Sequence, residues 1–233
     1  NSLIMTTHTD FFRSVAALIQ QDKTSEAIDK LQTFLIAHPN NATALSMLGS
    51  AHLRAGDEAA ALACFEKGVR ADINSYAAHA DLAFAAMKTG NAQQATAAFS
   101  EATKLKPDFY QAWCFLETLH FAAKEYENAL HAAERAEACD PYDNDYKKLQ
   151  AAMRADNKGA AERIARDILK RQPGHPRAAF VLAHLAGTVG AHEQSVDILK
   201  HGLEHHPANI HLRRALVQAL EEIGAYVRAI KDA

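Results

Sequence analysis

The chain has 233 residues, of which 48% are hydrophobic, and its formal net charge is −3 at pH 7. This balance argues against a dedicated nucleic-acid-binding protein, whose binding surface needs an excess of Lys and Arg. No apolar run approaches the ~20 residues of a membrane-spanning helix, so we expect neither nucleic acid nor a membrane as a partner.

The cysteines are few and widely spaced. Cys64, Cys114 and Cys139 form an odd set without a Cys-x-x-Cys motif. This pattern predicts neither a disulfide framework nor a zinc site and is typical of a reducing compartment. The N-terminus shows no basic segment followed by an apolar one, so we expect a cytoplasmic protein without a signal peptide. Residues 1–4 precede Met5, the first plausible start residue, and the sequence leaves open whether they are native.

The spacing of the prolines indicates an internal repeat. Pro107 and Pro141 are 34 residues apart, as are Pro173 and Pro207, whereas the step from Pro141 to Pro173 is 32. Alanine is abundant and β-branched residues are few, a composition that favours helix. A fixed period of this length predicts stacked helical units.

The unit at 41–74 shows the pattern most clearly. Its spacing predicts a first helix over 42–55, a turn at Gly56 with a positive φ, and a second helix that ends at about Ala71. Small residues at Gly49, Ala61 and Gly68 let the two helices approach closely, and Phe65 fills the space between units. Equivalent residues recur later in the chain: Leu82, Ala83, Gly90 and Phe99; Trp113, Leu116, Ala129 and Ala136; Leu182, Gly190, Leu199 and Gly202.

These units resemble the tetratricopeptide repeat family, whose unit is a helix–turn–helix of about 34 residues. The Ala-rich composition of the repeats is similar to that of bacterial members of this family. The resemblance implies an all-α fold, a right-handed superhelical solenoid of antiparallel helix pairs with about seven repeats. The units are 8–41, 42–75, 76–109, 110–143, 144–175, 176–209 and a partial 210–233.

The repeats predict three segments. Residues 8–143 form four regular repeats, 144–175 form a short, irregular fifth repeat, and 176–233 form the sixth repeat and a truncated seventh. In the fifth repeat Asp156 and Asn157 occupy the turn where glycine normally lies, and both residue types tolerate the left-handed conformation. We expect a candidate hinge there, and a turn at Gly224 in the seventh repeat.

The resemblance also implies that the first helix of each pair lines a concave, partner-binding groove. Carried over residue by residue, it predicts an apolar zone with a polar edge in the third and fourth repeats. The alternative is that Phe84, Met87 and Phe121 pack against adjacent helices. This zone comprises Phe84, Met87, Lys88, Gln111, Cys114, Thr118 and Phe121.

A second predicted zone, in the sixth and seventh repeats, is more basic. Its arginines could pair with a carboxylate or phosphate of a partner, or they could form ordinary ion pairs within the chain. This zone comprises Arg177, Phe180, His184, Thr188, His211, Arg214, Gln218, Glu221 and Glu222.

No group of residues predicts catalysis. Cys114 lacks an activating base. His201 and His205 have the i, i+4 spacing that can bind a metal, but no cysteine or clear carboxylate completes the set. We interpret them as exposed histidines at a helix end and expect no metal and no other cofactor.

The sequence therefore favours a non-enzymatic scaffold that binds a peptide or protein segment in its groove. The alternative is an N-terminal accessory domain of a larger enzyme such as a sulfotransferase, with catalysis beyond Ala233, because the run at 175–216 also resembles bacterial arrays that precede such domains. A third expectation is self-association through the uncapped C-terminal repeat.

Overall fold

A computed structural model describes the backbone of residues 2–231 and the side chains of residues 8–224. The described residues form helices and turns without a strand, so the prediction of an all-α fold is confirmed. None of the described helices is long and apolar enough to cross a membrane. The helices are α1 (Ser2–Gln20), α2 (Thr24–Ala37), α3 (Ala42–Ala55), α4 (Glu58–Ala71), α5 (Tyr76–Lys88), α6 (Ala92–Leu105), α7 (Tyr110–Ala122), α8 (Tyr126–Ala138), α9 (Asp143–Arg154), α10 (Lys158–Arg171), α11 (Pro176–Thr188), α12 (His192–His205) and α13 (Ile210–Lys231).

Several helices begin at a residue whose side chain accepts a hydrogen bond from a free backbone N–H group. Asn41 Oδ1 accepts from Ala44 N at 2.9 Å before α3, and Asn157 Oδ1 accepts from Ala160 N at 3.0 Å before α10. Such caps satisfy donors that have no partner inside the helix. The bounds of α3 and α4 confirm the two helices predicted for the unit at 41–74.

The turns inside the helix pairs use the left-handed conformation. Gly56 has φ 82° and Asp156 has φ 51°, as predicted. The turn expected at Gly224 is wrong, because α13 continues through that position to Lys231. A glycine inside a helix costs only about 1 kcal/mol relative to alanine, and the seven residues after Gly224 include no Asn, Asp or Pro to end the helix.

The described residues divide into two compact units, Asn1–Pro107 and Asp108–Ala233. In the N-terminal unit each helix from α1 to α6 packs on the next. Gly49 and Phe65 show why small residues recur: a Cβ atom at Gly49 would lie 2.6 Å from the Phe65 ring. The close approach predicted at this position is confirmed. The predicted hinge at 144–175 lies within the C-terminal unit and stays a prediction.

In the C-terminal unit the helices from α9 to α13 pack consecutively. One buried cluster joins α9, α10 and α11 around Leu149, Ile168 and Leu182. A second joins α11, α12 and α13 around Leu199 and Leu212. The α7–α8 pair packs tightly within itself. Glu117 of α7 contacts the loop before α13, and Asp140, just after α8, contacts the loop before α11.

Candidate partner-binding groove

The predicted apolar zone is divided between the two units. Phe84, Met87 and Lys88 lie on α5 of the N-terminal unit. Phe84 is 37% exposed, and its ring packs edge-on against Phe99 with centroids 5.1 Å apart. Met87 is half-buried and Lys88 is exposed. The other four residues of this zone lie on α7 of the C-terminal unit.

On α7 Gln111 is exposed, whereas the other three predicted residues are half-buried and have contacts within their own unit. Thr118 Oγ1 lies 3.2 Å from the carbonyl oxygen of Cys114 and donates to it. The Arg213 guanidinium lies over the Phe121 ring at 4.9 Å. Burial raises the pKa of the Cys114 thiol to about 12, so this thiol is uncharged at neutral pH and is a poor nucleophile.

The second predicted zone forms a groove. Helices α11 and α13 lie side by side in the C-terminal unit, and two cavities of about 220 and 230 Å³ open along them. Phe180 lines both cavities and is 41% exposed. We call the two cavities together the Phe180 groove. The first is lined by Phe180, Ala183, His184, Gly187, Thr188, Ser195, Leu199, Ala215, Gln218, Ala219 and Glu222, and the second by Glu137, Tyr146, Pro176, Arg177, Phe180, Asn209 and His211.

Most residues predicted for this zone line the groove, but Arg214 and Glu221 do not, although both are exposed on α13. The sequence did not lead us to predict the small residues of α13 that line the first cavity. Ala215 and Ala219 are four residues apart on α13, and this spacing of small residues on one helical face was the available signal. Nor did the sequence lead us to predict Tyr146, which reaches the groove from α9.

Arg177 is held by groups of its own chain. Its guanidinium donates to Asp140, with Nε 3.1 Å from Oδ2, and to Asp143 at 3.3 Å. It also lies 4.3 Å from the centre of the Tyr146 ring. Of the two interpretations that the sequence allowed for Arg177, the structure shows the ion pair within the chain.

Asp140 also fastens the start of α11. His175 and Asp140 are both buried, and His175 Nε2 lies 2.8 Å from Asp140 Oδ2. His175 Nδ1 accepts from Ala178 N at 3.3 Å, so Nε2 carries the proton and donates it to Asp140. Burial by itself raises the pKa of Asp140, but the hydrogen bonds from His175 and Arg177 outweigh it and lower the pKa to about 2.

Glu117 holds the loop that leads into α13 in place in a similar way. Its carboxylate is fully buried, with Oε2 2.9 Å from His206 Nδ1, and Oε1 accepts from Ala208 N at 3.0 Å. The two helices that line the Phe180 groove therefore both follow loops that a buried carboxylate of the α7–α8 region holds in place.

The end of α12 contains the histidines that the sequence singled out. The metal-binding atoms of His201, Glu204 and His205 all lie within 4.8 Å of one another, and all three side chains are exposed. The expectation that no carboxylate accompanies the two histidines is wrong, because Glu204 Oε2 lies 3.1 Å from His201 Nδ1.

Comparison with solved structures finds helical repeat proteins. A MamA protein is 20% identical to this chain with a TM-score of 0.55, and the match covers 84% of this chain and 90% of MamA. YrrB, described as a TPR protein with an unusual peptide-binding site, is 14% identical with a TM-score of 0.53, and the match covers 88% and 89%. A MamA fragment from Desulfovibrio magneticus RS-1 is 13% identical with a TM-score of 0.53, covering 87% and 96%. At these identities the likeness shows the fold alone.

A search of curated protein sequences finds no significant match. The sequence profile described as tetratricopeptide repeat matches residues 15–76 and 81–144, which together make up more than half of the chain. Since the profile match and the helix pairs agree, the chain belongs to the tetratricopeptide repeat family.

Proposed function

We propose that this protein is a scaffold that binds a peptide or protein segment in the Phe180 groove. The observation that carries the proposal is the pair of cavities on either side of an exposed aromatic ring, between the first helices of two successive repeats. The family uses this concave face for partners, and YrrB, which shares the fold, is described as having a peptide-binding site.

The size of the cavities supports a peptide over a small metabolite. Ligand pockets in proteins usually enclose about 300–1,000 Å³, whereas each cavity here encloses about 220 or 230 Å³. Each therefore suits a single side chain. We infer a segment with two anchor side chains, one on each side of the Phe180 ring, because a few buried anchors carry most of the affinity in such interfaces.

The length of the groove sets the length of the segment. The helical stretch from Arg177 to Thr188 spans about 16 Å at the usual rise per residue. An extended peptide rises about 3.3 Å per residue, so about five extended residues cover the groove. The open sides of both cavities and the exposed Phe180 ring leave this path accessible along α11.

Two further expectations belong to this proposal. The raised pKa of the Cys114 thiol supports a protein without cysteine catalysis, and we infer a non-enzymatic role. The three cysteines are all free thiols, which supports the cytoplasm as the compartment.

The test is a peptide library displayed on phage and screened against the purified chain, followed by fluorescence anisotropy with a labelled hit. Phe180→Ala removes the shared wall, and we expect its Kd to rise at least about tenfold. Val189→Ala is the matched control, because Val189 is 76% exposed just after α11 and lines neither cavity. Equal affinities for Phe180→Ala and the wild type would contradict the proposal, provided that circular dichroism shows both folded.

A further inference from the structure

The last turns of α12 carry three potential metal ligands on one helical face. His201, Glu204 and His205 have the spacing i, i+3 and i+4, which places their side chains side by side. The two imidazole rings lie 4.8 Å apart between centroids, and Glu204 Oε2 lies 3.1 Å from His201 Nδ1. None of the three residues lines the Phe180 groove, so the inference does not depend on the proposed function.

The hydrogen bonding of His205 prepares its ring for a metal. His205 Nδ1 lies 3.0 Å from the carbonyl oxygen of His201. A carbonyl oxygen can only accept, so Nδ1 carries the proton and Nε2 keeps a free lone pair. Histidines that bind metals commonly have their second nitrogen held in this way by a carbonyl or carboxylate.

The packing around His205 limits where its ring can move. A Cβ atom at Gly174 would lie 2.5 Å from the His205 ring, so the ring rests directly against the backbone of the loop before α11. The neighbouring His206 is not available as a ligand through Nδ1, because that nitrogen is bound to the buried Glu117. Among the residues that the structure describes, the candidate donor set is His201, Glu204 and His205.

We propose that His201, Glu204 and His205 bind one divalent transition-metal ion of the zinc class. Two imidazoles and one carboxylate are ligands that Zn²⁺ prefers, whereas Mg²⁺ and Ca²⁺ prefer oxygen ligands alone. Bonds of about 2.1 Å in a tetrahedral site bring ligand atoms to within about 3.4 Å of one another. The three exposed side chains reach this spacing by small rotations from the 4.8 Å that they show. The fourth position is left to water or to a ligand from a partner.

The experiment is isothermal titration of Zn²⁺ alone into the full chain after removal of metals with a chelator. We expect one ion per chain with a Kd in the micromolar range or below, and no heat of binding with Mg²⁺. His201→Ala and His205→Ala each weaken Zn²⁺ binding at least tenfold, and Glu204→Gln weakens it about tenfold. His131→Ala is the control, because His131 is exposed on α8 and its removal leaves binding unchanged.

A second measurement is the midpoint of thermal unfolding with and without Zn²⁺. Because an ion that binds only the folded chain stabilises it, we expect the midpoint to rise for the wild type and His131→Ala but not for His205→Ala. Wild-type binding that is only millimolar, or that survives in both histidine variants, overturns the site. Unchanged affinity in Glu204→Gln overturns the three-ligand form of the proposal.

Discussion

Glu117 and His206 are 89 residues apart in the chain, yet their side chains form a buried pair with 2.9 Å between Oε2 and Nδ1. The second carboxylate oxygen of Glu117 accepts from the backbone of Ala208. A carboxylate in such a place is stable only when its oxygens are paired, because transfer of an unpaired charge from water to the interior is strongly unfavourable. This pair therefore holds α7 and the loop before α13 in a fixed position relative to each other.

Removal of Glu117 is expected to destabilise the C-terminal unit strongly. Glu117→Ala leaves His206 and the Ala208 N–H without their buried partner, and we expect the free energy of unfolding in urea to fall by about 3 kcal/mol. Glu117→Gln retains an oxygen acceptor for Ala208 and should lose less. The control is Glu125→Ala, because Glu125 pairs with His120 at the surface and its loss should leave stability close to the wild type. Equal stabilities of Glu117→Ala and Glu125→Ala would show that the buried pair is not formed.

The ionisation of Asp140 should make the free energy of unfolding depend on pH in the acid range. Its pKa is lowered from the ordinary value of 3.8 to about 2, so the folded state favours the carboxylate more than the unfolded state does. The resulting stabilisation is complete above pH 3.8 and is lost as the pH falls towards about 2. We expect Asp140→Asn to lower the free energy of unfolding by between about 1 and 2 kcal/mol at pH 7, after allowance for screening by solvent.

The measurement is urea unfolding of the wild type and Asp140→Asn at several pH values between 7 and 2. The difference between the two proteins should stay constant down to about pH 5 and shrink below pH 4. Asp10→Asn serves as the control, because Asp10 is 71% exposed and pairs with the neighbouring Arg13 at the surface. A difference for Asp140→Asn that persists at pH 2 would contradict the ionised, paired carboxylate.

The contact of Gly49 with Phe65 should make the N-terminal unit intolerant of a methyl group. Gly49→Ala adds a Cβ atom 2.6 Å from the Phe65 ring, and overpacking of a buried site costs about 1–3 kcal/mol. The higher helix propensity of alanine recovers less than this, so we expect a lower melting temperature. Gly159→Ala in α10 is the matched control, since a Cβ atom there meets nothing within 4 Å. A stabilising Gly49→Ala would mean that α3 and α4 are further apart.

The continuity of α13 predicts the opposite effect at Gly224. A Cβ atom at this position meets nothing within 4 Å, and alanine is favoured over glycine inside a helix by about 1 kcal/mol. Gly224→Ala should therefore raise the melting temperature. Gly56→Ala is the comparison, because Gly56 has φ 82°, where alanine is strained, and this variant should melt lower. If Gly224→Ala also melts lower, residue 224 forms a turn and α13 ends before it.

The candidate groove was only partly predictable from the sequence. Phe180, His184 and Gln218, which the family pattern predicts for the groove side of each first helix, line the two cavities. Tyr146 and Glu137 could not be found in this way. They reach the second cavity because of how α8 and α9 lie relative to α11, and that relation depends on small rotations between successive helix pairs.

The sequence by itself determined the local structure of this protein. The repeat spacing, the turn residues such as Gly56 and Asp156, and the small residue at Gly49 specify where helices begin, end and approach, because these choices rest on backbone conformation and on neighbours within one or two turns. Only the tertiary structure decided which charged groups are paired. Glu117 with His206, and Asp140 with His175, meet across long stretches of chain, and no periodic pattern encodes such contacts because each depends on the summed geometry of the helices between them.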